Sequence, residues 1–187
     1  MLRGAWLGAR GRHPNSLIRN LGGLKFEDVT FSAGLAEAHY PTQTAGWSDY
    51  DNDGDLDLYI GNETSKSLAA PCQLFRNTGN GVFEDVAKEA GVLNSRFTKG
   101  VTWGDIDNDG DQDLYVSNLG AENRLYRNSG DGTFTDIAPE AGVTRPLKSF
   151  PVWFWDYTND GNLAIFASSY DRKPQDQARH QLGKPGK

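Results

Sequence analysis

The stretch Trp47-Ser-Asp-Tyr-Asp-Asn-Asp-Gly-Asp-Leu-Asp-Leu-Tyr59 decides the reading of this chain. Aspartates stand at every second position from Asp49 to Asp57, and Gly54 interrupts them in the middle. The pattern returns 56 residues later as Trp103-Gly-Asp-Ile-Asp-Asn-Asp-Gly-Asp-Gln-Asp-Leu-Tyr115. It returns in decayed form, 51 residues further on, as Phe154-Trp-Asp-Tyr-Thr-Asn-Asp-Gly-Asn-Leu-Ala-Ile-Phe166. Self-similarity at such a period is the mark of a repeat architecture.

Two companion motifs keep step with the loops. Leu74-Phe-Arg-Asn77 matches Leu125-Tyr-Arg-Asn128. Phe83-Glu-Asp-Val-Ala87, closed by Ala90-Gly-Val92, matches Phe134-Thr-Asp-Ile-Ala138, closed by Ala141-Gly-Val143. An earlier copy stands at Phe26-Glu-Asp-Val-Thr30, closed by Ala33-Gly-Leu35.

Each repeat reads as four short strands. In the second copy, Val101–Trp103 enters the acidic loop, and Asp113–Ser117 leaves it with the alternation of a half-buried strand. Arg124–Arg127 is a third strand and Thr133–Ile137 a fourth, joined by a turn that contains Asp131-Gly132. The Ala138–Gly142 segment has room for one helical turn, ended by Gly142. Four strands in about fifty residues, repeated, point to β-propeller blades.

The expected fold is therefore all-β, a partial β-propeller of about three four-stranded blades with Asp-rich calcium loops between strands. Residues 1–20 read as a basic, disordered tail and 21–43 as the remnant of a blade. Residues 44–92 and 93–143 are the two full repeats, 144–170 an incomplete and degenerate third, and 171–187 a second disordered tail. A propeller closes with four to eight blades. The expectation is that further blades, or self-association, complete the ring.

The totals restrict the function. The chain has 187 residues and a net charge of -6, which argues against nucleic acid as a partner. Its one cysteine, Cys72, reads as a plain free thiol and allows no intrachain disulfide. No apolar run approaches the ~20 residues of a transmembrane helix. The apolar patches before Pro14 are too short and too interrupted for a clear signal peptide.

The acidic loops carry the chemistry. Asp49, Asp51, Asp53, Asp55 and Asp57 fill alternate positions, as do Asp105, Asp107, Asp109, Asp111 and Asp113. Alternate side chains on a tight loop converge on one point, as in the first part of an EF-hand loop. Position 12, a bidentate Glu in an EF-hand, is here Ile60 or Val116, so the loop joins two strands rather than two helices. Two unit charges 4 Å apart repel by ~1 kcal/mol in water and ~4 near a protein surface. Converging carboxylates therefore call for a cation. Hard oxygen donors on a flexible loop suit Ca2+, whereas magnesium demands a stricter octahedron and zinc wants His or Cys. Loop three keeps Asp156, Thr158 and Asp160 but has Ala164 at position 9, so it is the weaker candidate.

At these residues the sequence resembles the FG-GAP/VCBS repeat family, the blades of integrin-alpha-type propellers. The companion motifs bring it nearest to the ASPIC/UnbV group related to cartilage acidic protein. The resemblance spans about Leu24 to Tyr170. It implies calcium in loops one and two, an extracellular or periplasmic setting, and a non-catalytic role in protein or glycan binding and adhesion. The alternative is part of a calcium-dependent propeller enzyme, such as a polysaccharide lyase. Against that, His13, His39 and His180 all lie outside the full repeats and Cys72 is solitary.

The remaining motifs have bland readings. Trp47, Trp103 and Phe154 precede each loop in register and are expected to pack between blades. Trp153 and Trp155 form an aromatic cluster beside loop three, a conceivable carbohydrate platform. Arg76 and Arg127 recur in register and are expected in structural salt bridges. Asn62-Glu-Thr64 fits a glycosylation sequon.

Overall fold

The structure, a computed structural model, describes residues 14–169. Within them run twelve strands: β1 (Ile18–Gly22), β2 (Lys25–Asp28), β3 (Thr42–Ser48), β4 (Asp57–Asn62), β5 (Gln73–Asn77), β6 (Phe83–Asp85), β7 (Thr98–Gly104), β8 (Asp113–Asn118), β9 (Arg124–Asn128), β10 (Phe134–Asp136), β11 (Ser149–Trp155) and β12 (Ala164–Ser169). They form two four-stranded antiparallel sheets, β3-β4-β5-β6 and β7-β8-β9-β10, flanked by two-stranded pairs β1-β2 and β11-β12. These are propeller-like blades. The expectation of about three four-stranded blades narrows to two complete ones, because the third repeat contributes only β11 and β12 among the described residues.

Registers repeat from sheet to sheet. Trp47 faces Leu58, Trp103 faces Leu114 and Phe154 faces Ile165 across the first strand pair of each. The strands β3, β7 and β11 lie side by side, which stacks the sheets face to face. An apolar core fills each gap. Ala33 and Leu35, in the segment after β2, cluster with Leu58, Ile60, Phe75 and Phe83 of the first full sheet. Tyr59, Leu74, Leu114, Val116, Tyr126 and Phe134 fill the gap between the two full sheets. Tyr115, Leu125 and Val152, joined by the partly buried Phe154 and Ile165, fill the gap before β11 and β12.

This stacking corrects one expectation. Strand β8 is buried at every residue, as is β4, rather than half-buried with alternation. A sheet sandwiched on both faces has no solvent side, so its central strands read as continuous apolar runs broken only by small or hydrogen-bonded polar residues. The inter-sheet gap is set by pairing large with small. Trp103 Nε1 donates to the carbonyl of Gly46 at 3.2 Å, and a Cβ on Gly46 would press on the same ring. A Cβ on Gly104 would lie 2.7 Å from Phe154 Cδ2.

Of the tail expected at 1–20, residues 1–13 lie outside the described residues, as does the tail at 171–187. Residues 18–20 are not tail. They belong to β1, because Leu17-Ile-Arg-Asn20 is a further copy of the Leu74-Phe-Arg-Asn77 motif. The copies bond alike. Asn20, Asn77 and Asn128 each accept, on the side-chain oxygen, the N–H two residues on, at 2.8, 3.1 and 3.1 Å. The carbonyls of Leu17, Leu74 and Leu125 accept from Val29, Val86 and Ile137 at 2.9, 2.7 and 2.8 Å. The β1-β2 hairpin therefore corresponds to the outer strand pair of a preceding blade. The segment after β10 makes one helical turn, with Ala141 N–H donating to Ile137 O at 2.9 Å, and Gly142 ends it at φ 71°.

Trp103 packs between sheets as expected, its ring edge-on to Tyr59 and stacked with Tyr50. Phe154 meets Tyr115 in the next gap, while Trp47 remains 45% exposed against Phe83. Trp155 and Trp153 are exposed, and Trp153 stacks on Phe166 at 4.3 Å. Arg76 pairs with Glu84, whereas Arg127 lies opposite Thr135, which offers no charge. Cys72 is a buried free thiol. The sequon is inaccessible in the folded chain. Asn62 is fully buried and its amide donates to Pro71 O at 2.8 Å.

Candidate metal centre

Each acidic loop connects the first two strands of its sheet, so the loops of neighbouring sheets emerge from the same end of the stack. The loop backbone is built from its own carboxylates. Asp49 Oδ1 accepts the N–H of Asp53 at 3.1 Å and Asp49 Oδ2 that of Gly54 at 3.1 Å. Asp53 Oδ1 accepts from Asp55 N–H at 2.9 Å. Loop two repeats this with Asp105 to Asp109 and Gly110, at 3.2 and 3.0 Å, and Asp109 to Asp111 at 2.9 Å. Loop three repeats it with Asp156 to Asp160 and Gly161, at 3.2 and 2.9 Å.

Two residues per loop lie in the left-handed region. Gly54, Gly110 and Gly161, at position 6, have φ of 93°, 95° and 86°. Asn52, Asn108 and Asn159, at position 4, have φ of 56°, 59° and 57°. Sequence reasoning found the glycine but missed the asparagine. The signal was available, because Asn tolerates that region better than other side-chain-bearing residues.

The curled backbone gathers carboxylates. Oxygens of Asp49, Asp51 and Asp57 lie within 4.8 Å of one another, as do oxygens of Asp105, Asp107 and Asp109. The position-7 side chains turn elsewhere. Asp55 Oδ2 lies 3.4 Å from where a Cβ on Gly79 would sit, and Asp111 Oδ2 lies 2.8 Å from the corresponding point at Gly130. Both therefore face the turn after the third strand of their sheet. Loop three has only Asp156 and Asp160 as acids, with Thr158 hydroxyl 3.4 Å from Asp156 Oδ1.

Position 9 is the deep end of the site. Asp57 and Asp113 are fully buried. Asp57 Oδ2 accepts from Tyr50 N–H at 3.2 Å and Oδ1 from Asn77 N–H at 2.8 Å. Asp113 is held the same way by Ile106 and Asn128, at 2.9 and 2.8 Å. Burial pushes both carboxyls up to about 6, against the pull of those N–H donors, and the neighbouring loop carboxylates add to the rise. Burial, and then Asp53, also raise Asp51. Burial, and then Asp109 and Asp105, raise Asp107. Asp160 goes the other way, held low by the Asn162 N–H and the Thr158 hydroxyl.

One buried polar atom bears on the fit to a cation. Asp51 Oδ1 is buried with no hydrogen-bond partner. An unpaired buried carboxylate oxygen costs free energy, and a bound cation is one of the few groups that satisfies it. Calcium sits 2.3–2.6 Å from its oxygens, so two ligands on opposite sides are up to about 5 Å apart. The carboxylate groupings in both loops fall inside that span.

Residues 49–116 and again 105–167 match the FG-GAP-like repeat family, each match beginning on the first aspartate of a loop. The chain belongs to the FG-GAP-like repeat family. Among similar proteins, Cartilage acidic protein 1 of Homo sapiens is 36% identical over 88 residues, 46% of this chain and 13% of that protein. Cartilage acidic protein 1 of Mus musculus is 35% identical over 88 residues, 46% of this chain and 14% of that protein. Cartilage acidic protein 1 of Xenopus tropicalis is 27% identical over 153 residues, 78% of this chain and 24% of that protein. The chain thus spans a quarter or less of these relatives. As an FG-GAP-like repeat protein it carries two complete propeller-like sheets, and no helix among its described residues is long and apolar enough to cross a membrane.

Proposed function

We propose that loops one and two each hold a calcium ion, and that the chain is a calcium-stabilised, non-catalytic module for binding protein or glycan outside the cell. The observation that carries the calcium reading is the convergence of Asp49, Asp51 and Asp57 around the unpartnered Asp51 Oδ1. Asp49, Asp51, Asp53 and Asp57, with the Asp55 carbonyl, would hold the ion in loop one. Asp105, Asp107, Asp109 and Asp113, with the Asp111 carbonyl, would hold it in loop two. Loop three, with Asp156, Thr158 and Asp160, binds much more weakly, for want of two charges. A bound ion supplies positive charge that turns mutual repulsion of the loop acids into attraction. Asp57 and Asp113 also tie the loop to the sheet, so binding and folding are linked.

The extracellular setting rests on the family resemblance and on this linkage. Extracellular calcium modules bind at about 10⁻⁴–10⁻³ M, so such sites fill outside the cell and empty in the cytosol. The binding role rests on the propeller-like stack, which presents loops at its ends on a rigid frame. Thermal melting of the purified chain with calcium, magnesium or excess chelator tests the reading. Calcium is expected to raise the melting temperature well beyond magnesium, and a melt indifferent to calcium refutes the proposal. A glycan or matrix-protein array in calcium then tests the partner class, with binding lost in chelator.

A further inference from the structure

Loops one and two touch each other through two residues. Asn52, at position 4 of loop one, donates from Nδ2 to Asp111 Oδ1 of loop two at 2.7 Å. Asn128, in β9, bridges the loops a second way. Its Nδ2 donates to the carbonyl of Tyr50 in loop one at 2.8 Å, while its main-chain N–H caps Asp113 of loop two at 2.8 Å. Tyr50 is itself buried and stacks on Trp103, the residue that leads into loop two.

Each of these atoms is tied to a group that would move when a loop opens. Asn52 lies between Asp51 and Asp53. Asp111 N–H is bound by Asp109, and Asp113 is the deep carboxylate of its loop. Ordering one loop therefore places the hydrogen-bond partners of the other. Loop three lacks the charged acceptor of this bridge, because Asn162 stands where loop two has Asp111.

We infer that loops one and two take up calcium cooperatively, with Asn52 and Asn128 as the positioning residues that couple them. The inference rests on the calcium reading above. It assigns to the repeat-to-repeat contact a function beyond packing, because each ion would pre-order the neighbouring site.

The test is calorimetric titration of the chelator-treated full chain with calcium chloride. Disabling loop two with Asp105→Asn is expected to weaken loop one roughly three- to tenfold, about the net worth of one ordinary hydrogen bond. With Asn52→Gly and Asn128→Ala in place, the same change is expected to leave loop one within about twofold. Glycine keeps the left-handed backbone available at position 52. Melting in chelator shows whether each variant folds. Should the double variant not fold, Asn52→Gly alone, on the exposed side of the loop, is expected to cut the coupling at least about twofold. Asn108→Gly, the matching change in loop two, is expected to leave the coupling in place.

Independent binding by the two loops in the parent chain overturns the coupling and leaves the calcium reading standing. No calcium heat at all overturns both. Coupling that survives without Asn52 and Asn128, or that is lost equally in Asn108→Gly, overturns the route through these two side chains.

Discussion

The main-chain N–H of Asn77 donates to Asp57 Oδ1 at 2.8 Å, closing the acidic loop onto the third strand of its own sheet. Asn128 and Asp113 make the same bond at 2.8 Å one repeat later. The last aspartate of each loop is therefore both a candidate ligand and a structural tie. The other loop acids are partly or fully exposed to solvent.

That difference predicts opposite effects in the absence of metal. Asp57→Ala strips the acceptor from two N–H groups at a buried site, and is expected to destabilise the chelator-treated chain by about 2–4 kcal/mol. Asp51→Asn removes charge from an oxygen that has no partner, and is expected to be neutral or slightly stabilising in chelator while weakening calcium binding at least about tenfold. Urea denaturation in chelator and calcium titration together check both.

Asp57 and Asp113 also set a pH dependence. Their carboxyls stand at about 6 in the folded chain, above the ~3.9 of an unfolded aspartate. A raised folded value means the folded state holds the proton more tightly. Its contribution to stability is full below about pH 4 and is lost as pH climbs through 6. The chelator-treated chain is expected to lose stability from this source between pH 4 and 7, and Asp57→Asn with Asp113→Asn is expected to flatten that step. Calcium affinity should run the other way and rise across the same interval, because the ion needs the carboxylate. Melting curves at pH 4.5 to 7.5, with and without calcium, read both slopes.

The gap between the second sheet and β11 depends on a missing side chain. A Cβ on Gly104 would lie 2.7 Å from Phe154 Cδ2 and 2.9 Å from Leu163 Cδ1. Gly104→Ala is expected to cost about 1–3 kcal/mol by overpacking. Phe154→Leu alone also costs stability, but combined with Gly104→Ala it is expected to cost less than the two single changes added together. A double-mutant cycle in urea gives the coupling.

Lys99 and Glu63 form an ion pair whose side chains are 12% and 4% exposed, with the Lys99 ammonium 4.5 Å from the centre of the Phe97 ring. Lys99→Met leaves the Glu63 carboxylate buried and unpaired, and is expected to destabilise the chain by about 3–5 kcal/mol. Adding Glu63→Leu is expected to restore most of that loss, because an apolar pair needs no desolvation. Equal stability of the single and double variants would argue that Glu63 finds another partner.

Much of this architecture was legible before any coordinates. The repeat of Trp47–Tyr59 at Trp103–Tyr115 fixes the four strands of each full repeat and their order, since each motif has to occupy the same place in its sheet. The bend at Gly54 and Gly110 followed from the backbone freedom of glycine. The earliest copy, at Leu17–Asn20, is not legible from spacing, because no acidic loop precedes it to fix the alignment. Alternation along Asp113–Ser117 points to a half-buried strand, yet β8 is buried throughout, because alternation does not reveal that a second sheet covers its other face.

The sequence by itself determined the local chemistry: which residues bend, which alternate on a loop, and which repeat. These depend on backbone preference and on spacing, and both are written in the order of residues. Only the tertiary structure decided that Asp57 and Asp113 are buried ties, that Asp55 and Asp111 turn outward, and that Asn52 reaches Asp111, 59 positions away. Each of these depends on strands and sheets brought together by packing, and desolvation and long-range hydrogen bonds exist only once that packing has formed.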